Sequence, residues 1–132
     1  MLFKYGDVNT SIYKHKSDLQ SRCVGVAEII RQHNTAECLG VCIEEPFSGQ
    51  FSSVKALFPM IGAAVLACEE CGLPWSLIHL SKLKIHATGK GNAKKSDMQA
   101  AAKGRWGRDF GEDEADAAWA AAYAADTGLF AE

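Results

Sequence analysis

Long apolar runs are missing from this 132-residue chain, and none approaches the roughly 18 residues needed to cross a bilayer. A membrane-spanning role is therefore not expected. Basic residues are missing after Arg108, and acids are almost missing between Leu80 and Arg108, where Asp97 stands alone. Proline is scarce, with only Pro46, Pro59 and Pro74. The five cysteines, Cys23, Cys38, Cys42, Cys68 and Cys71, are an odd number. With no targeting signal visible, that count argues against a disulfide framework and for a reducing compartment. Cys68 and Cys71 form a CxxC inside a helical pattern, but a structural zinc would need two further ligands that nothing supplies. Net charge is −2, so the total gives no hint of a polyanionic partner.

What is present is the content of an ordinary globular domain, 48% hydrophobic and 23% charged, in one unit without internal repeats. Its charges are sorted along the chain. Lys82, Lys84, Lys90, Lys94, Lys95, Lys103, Arg105 and Arg108 come first, then Asp109, Glu112, Asp113, Glu114, Asp116, Asp126 and Glu132. Cations beside carboxylates fit a site where a polyanion meets a metal.

The organising stretch is Leu39–Gln50, LGVCIEEPFSGQ. Leu39, Val41, Cys42 and Ile43 make a short run of buried-strand character, and Pro46 ends it. Glu44 and Glu45 stand where the strand leaves the core. Either they are the solvated mouth of a loop, or one of them holds a metal at the end of a parallel strand.

Around this stretch the chain reads as an α/β domain. Met1–Val8 reads as one short strand, without clean alternation. A helix is expected from a cap at Asn9–Ser11 to about His33, with His15 and His33 facing solvent. Ser52 and Ser53 are caps for a second helix whose stripe is Val54, Leu57, Phe58, Ile61, Val65 and Cys68. Pro59 either kinks that helix or starts it, and Gly72 ends it. Pro74–Leu80 is a second buried strand, so strand, helix and strand make one parallel crossover. Ser81–Asn92 shows no apolar period and reads as a basic loop with His86 and the Gly-Lys-Gly of residues 89–91. It is either a plain turn with solvated lysines or a phosphate cradle. Ala93–Lys103 is a helix with Lys94 and Lys95 at its electropositive start, a conflict that an anionic partner would relieve. Trp106–Gly111 is a turn. Glu112–Ala125 is a strong helix, with Asp113 and Asp116 on one face of its first turn. The helix dipole alone favours acids there.

Three patches, GVAEIIRQHN…CIEEPFSGQ, KIHATGKGNAKKS and DEADAAWAAAYA, in this order and spacing, resemble the RuvC-type Holliday junction resolvases, especially the compact bacteriophage members. The similarity runs from about Gly25 to Tyr123. It implies a ribonuclease-H-like fold, a mixed sheet flanked by helices, as a single domain over residues 1–132. It implies a homodimeric endonuclease that nicks four-way DNA junctions using Mg²⁺, for which Mn²⁺ can substitute, in the cytoplasm of a bacterial or phage-infected cell. Carried over position by position, Glu44, Asp113 and Asp116 are the catalytic, metal-holding carboxylates, and Glu45 takes a variable position. Lys84 and Lys95 are DNA contacts, and Lys90 and Lys94 join them as phosphate-facing lysines. His86, in the same basic segment, is an auxiliary candidate for proton transfer or a phosphate contact.

The chain departs from the family at its start. The strand I-x-G-I-D-x-G, whose Asp is the first metal ligand and which lies mid-sheet, is absent, and Asp7 in YGDV does not sit in its context. The chain is then an N-terminally incomplete version of a longer protein, or another segment or a partner chain replaces the strand. The remaining reading is a homologue that binds branched DNA without cutting it. A sheet lacking its middle strand is expected to be poorly stable or to self-associate.

Overall fold

The computed structural model describes residues 2–4, 7–11, 13, 18–45 and 57–131. The segment 46–56, which includes the expected Ser52–Ser53 cap, lies outside them, as does His15. At the start, β1 (Leu2–Lys4) and β2 (Asp7–Asn9) form an antiparallel hairpin, with Leu2 opposite Asn9. One strand is expected there; two strands of three residues explain why no clean alternation runs through the stretch. The first helix also starts later than Asn9–Ser11. α1 spans Leu19–Gln32, and its cap is Asp18, whose Oδ2 accepts the Ser21 N–H at 2.9 Å. That amide hydrogen bond holds the Asp18 carboxyl below its ordinary pKa.

The centre of the molecule follows the sequence pattern closely. β3 (Val41–Glu45), α2 (Leu57–Cys71) and β4 (Trp75–His79) form a strand–helix–strand unit with parallel strands. Val41 faces Trp75, and Glu44 faces Ile78. Pro59 lies in the first turn of α2, where no intrahelical N–H bond is lost, so it requires no kink. Gly72 takes a φ of 67°, as a helix-ending glycine does.

Alternation along β3 divides the core in two. Val41 and Ile43 pack with Ala27 and Ile30 of α1 and Ala64, Ala67 and Cys68 of α2. Cys42 packs on the other face, in the cluster of Ile78, Leu83, Met98, Trp119 and Ala122. That second cluster is built by three helices: α3 (Leu80–Thr88), α4 (Lys95–Trp106) and α5 (Glu112–Thr127).

α3 overturns the reading of Ser81–Asn92 as a loop. Leu80, Leu83 and Ala87 are its inward positions, an i, i+3, i+7 spacing that the intervening lysines mask. Gly89 ends it at a φ of 82°, and its N–H donates to the Ile85 carbonyl at 2.8 Å. The Lys90 N–H donates to Thr88 Oγ1. Two amides of the supposed phosphate cradle are thus engaged inside the protein. At the start of α4, the carboxylate of Asp97 accepts the Lys94 N–H at 2.8 Å, which places a negative charge at the helix start beside the two lysines. The expected mixed sheet is present as two separate pairs among the described residues, β1–β2 antiparallel and β3–β4 parallel.

Candidate active site

Strand alternation determines which of the paired glutamates faces the helices. Glu44 shares a face with Cys42 and so turns toward α5. Glu45 points the other way, where its Oε2 lies 3.3 Å from His79 Nε2. At the first turn of α5 stand Asp113 and Asp116. Asp116 is the one charged residue buried among the described residues, at 7% exposure. Asp113 extends fully into solvent.

These acids line one small cavity of about 140 Å³, together with Lys84 from α3, Lys95 and Met98 from α4, and Leu80. Five of the charged residues singled out in sequence, Glu44, Lys84, Lys95, Asp113 and Asp116, therefore line one cavity, while Lys90 and Lys94 do not. Electrostatics reflect the crowding. Desolvation raises the pKa of Glu44, and Asp116 pushes it further up, while Lys95 opposes both. Desolvation likewise raises Asp116, with Lys95 acting against it and Asp113 with it. Carboxylates kept short of water and beside each other gain most from a nearby cation. Hard oxygen donors of this type suit a divalent ion such as Mg²⁺. The convergence is incomplete, however: among the described residues no three acids, histidines or cysteines close on one point as a metal-holding group. Asp113 instead lies 3.9 Å from Lys95 Nζ, which also approaches Glu112 at 3.6 Å.

The remaining predicted residues divide. Lys90 and Lys94 are exposed beside the cavity's rim elements, Lys90 in the turn after α3 and Lys94 at the cap of α4. His86 is elsewhere. Its Nε2 lies 2.8 Å from Asp126 Oδ2, and its ring packs edge-on against Trp119 and Tyr123. Asp126 is ten residues beyond Asp116 on α5, about 15 Å at the helical rise. In this structure His86 is therefore engaged with Asp126, Trp119 and Tyr123 and does not line the acid cavity.

The charge sorting also has a partner inside the chain. Lys103 pairs with Asp109 at 3.0 Å, Arg108 with Glu114 at 3.5 Å, and Arg105 grips Asp126 through two bonds of 2.6 and 2.9 Å. Much of the basic block of α4 and the turn after it is thus matched to the acids that follow. The signal for this pairing in the sequence is the basic run followed directly by an acidic one.

A parallel strand pair carrying an acid at its exit, faced by a helix that begins with acids and flanked by helices on both faces, defines an α/β domain of ribonuclease-H-like type. Solved structures bear this out. The chain is similar to Thermus thermophilus RuvC, with a TM-score of 0.66 and 22% identity over 92% of this chain and 76% of that one. It is also similar to T. thermophilus RuvC in complex with Holliday junction substrate, with a TM-score of 0.64 and 21% identity over 83% and 69% of the two chains. In sequence, 95 residues are 39% identical to the crossover junction endodeoxyribonuclease RuvC of Anaeromyxobacter sp. (strain Fw109-5), covering 70% of this chain. That stretch is 45% of the relative's length, so the chain spans about half of it. No family model matches. The chain thus resembles RuvC in the matched stretch of its sequence and in its fold.

Proposed function

We propose that this domain is the nuclease module of a metal-dependent endonuclease acting on four-way DNA junctions. The observation that carries the reading is the meeting of Glu44, Asp113 and Asp116 with Lys84 and Lys95 around one cavity of about 140 Å³. In this reading Glu44 and Asp116, with Asp113 turned inward, hold Mg²⁺ or Mn²⁺. A divalent ion bound there supplies Lewis acidity at the phosphate and a water of lowered pKa. Lys84 and Lys95 hold the phosphate of the strand to be cut, and Lys90, Lys94 and the exposed Lys82 add contacts that fix register without reading sequence. A homodimer, presenting one such site to each of two strands, is part of the proposal.

The test is nicking of a synthetic four-way junction in Mg²⁺ or Mn²⁺. Glu44→Gln and Asp116→Asn are expected to lower the rate about 100-fold or more, with junction binding retained. If the protein carrying this domain cuts nothing in either metal, the proposal fails. One observation favours a second reading, a homologue that binds branched DNA without cleavage: Asp113 faces solvent and leaves the acid set open. That reading expects binding that falls steeply with salt, is weakened by Lys95→Ala and is unchanged by Glu44→Gln.

A further inference from the structure

One carboxylate outside the acid cavity ties three helices together. Asp126, near the end of α5, accepts both arms of the Arg105 fork from α4, at 2.6 and 2.9 Å, and lies 2.8 Å from Nε2 of His86 on α3. The Arg105 guanidinium also lies over the rings of Trp106 and Trp119, 5.1 and 5.4 Å from their centroids, so the carboxylate is held in one place. Among the described residues, His86 makes the one side-chain hydrogen bond that α3 sends to another helix. The same three helices carry charged residues of the acid cavity: Lys84 on α3, Lys95 on α4, and Asp113 with Asp116 on α5. α3 is the least anchored of them. It has nine residues, and Leu83 is its one buried side chain, flanked by the partly buried Leu80 and Ala87. At about 100° per residue, Lys84 and His86 fall about 200° apart, one on each flank of that inward stripe. Lys84 is thus turned to the acid cavity and His86 to Asp126. A short helix seated on one leucine resists rolling about its axis only weakly. Any roll that lengthens the His86–Asp126 bond carries Lys84 with it.

We propose that His86, held by Asp126 and Arg105, is a positioning residue for Lys84: it fixes the roll of α3 and so sets where the lysine ammonium stands beside the acids. The inference rests on the nuclease reading, which gives Lys84 the phosphate of the strand to be cut. His86 touches neither DNA nor metal in this role; it acts through the helix that it shares with Lys84. Its ring has a second hold on the site. It packs edge-on against Trp119, whose Nε1–H donates to the Met98 carbonyl at 3.3 Å, and Met98 lines the acid cavity. Displacing a phosphate-holding group by about 1 Å is enough to cost up to about a hundredfold in rate, so a small roll of α3 has a large effect.

The experiment is a double-substitution cycle in the protein carrying this domain: His86→Leu, Lys84→Ala and the two together, read as nicking of a synthetic four-way junction in Mg²⁺ well below each variant's melting transition. His86→Leu is expected to lower kcat about tenfold while KM changes by less than about twofold. His86→Gln keeps a nitrogen donor for Asp126 and is expected to recover most of that loss. With Lys84 already replaced by alanine, His86→Leu is expected to cost less than about twofold, because the group it positions is gone. A histidine that only stabilised the fold would lower the rate by the same factor with or without Lys84, and glutamine would not restore kcat selectively. If His86→Leu does not melt cooperatively, Asp126→Ala takes its place in the cycle. Additive losses, an unchanged kcat in His86→Leu, or a glutamine variant no better than the leucine variant would each overturn the proposal. If the natural protein nicks nothing, the nuclease reading fails separately. The same cycle is then read on junction binding at low salt, where Lys84 still meets phosphate; additive losses there would overturn the positioning role, and a loss confined to the protein that keeps Lys84 would support it.

Discussion

Asp126 is the residue whose ionisation the fold most clearly uses. The Arg105 guanidinium, bound through two nitrogens, and the His86 ring beside it hold the Asp126 carboxyl down to about 2. An acid whose pKa is depressed on folding stabilises the fold fully above its unfolded pKa, near 4, and that contribution is lost as pH falls toward the folded value. The window is therefore about pH 4 to 2. Because about a third of the side chain is open to solvent, the contribution is discounted to about 1 kcal/mol. Melting followed from pH 6 to pH 2 is expected to show a steeper loss in the natural protein than in Asp126→Asn, the two curves converging at the acid end. The same scale separates the paired glutamates. Glu44 faces Asp116 across the cavity and Glu45 faces His79, so Glu45→Gln is expected to leave junction nicking within about twofold, against about a hundredfold loss for Glu44→Gln. The sequence allowed this distinction only through family resemblance. Alternation assigns the two acids to opposite faces, but only the packing of α5 tells which face carries the site.

At the scale of elements, the apolar spacing predicted most of the structure, and charge hid the rest. β3, α2, β4 and α5 were legible because each carries enough apolar or strongly helix-forming residues to declare its period. α3 was not. Its buried face amounts to Leu83 with Leu80 and Ala87, and Lys82, Lys84 and His86 fill the gaps, so a helix looks like a basic loop. Its true end is marked by Gly89, whose φ of 82° is a region that costs other residues about 1–2 kcal/mol. Gly89→Ala is expected to destabilise the protein by about 1 kcal/mol. Amide exchange should then rise in Leu83–Thr88 before it rises in α5. Uniform acceleration throughout both helices would mean that α3 has no local opening of its own. The length of α1 was misjudged for a related reason: Asn9 and Ser11 are sound caps in composition, but Asp18 lies adjacent to the apolar face that α1 buries against α2.

For the whole molecule, the decisive fact is how little joins its two cores. The cluster beneath α1 and α2 and the cluster beneath α3, α4 and α5 meet across a parallel ladder of two five-residue strands. The open edge of β3 leaves backbone groups unpaired by any strand among the described residues, and the groove beside it exposes apolar walls to water. Exposed Val24, Phe58 and Leu66 on the helices of the first layer add apolar surface. Unpaired strand edge and exposed apolar surface of this kind narrow the margin between folded and unfolded states. Leu83 is fully buried in the larger cluster, and removing such a side chain costs about 2–5 kcal/mol. That loss matches the whole margin expected of a weakly stable domain, so Leu83→Ala is expected to leave the 132-residue chain unfolded at 25 °C by circular dichroism. The natural chain is expected to melt below about 45 °C, the lower end of the usual range for mesophilic domains. It should also sediment as a mixture of species at high concentration. A single sharp transition from a clean monomer well above that temperature, with Leu83→Ala still folded, would show that the margin is not small.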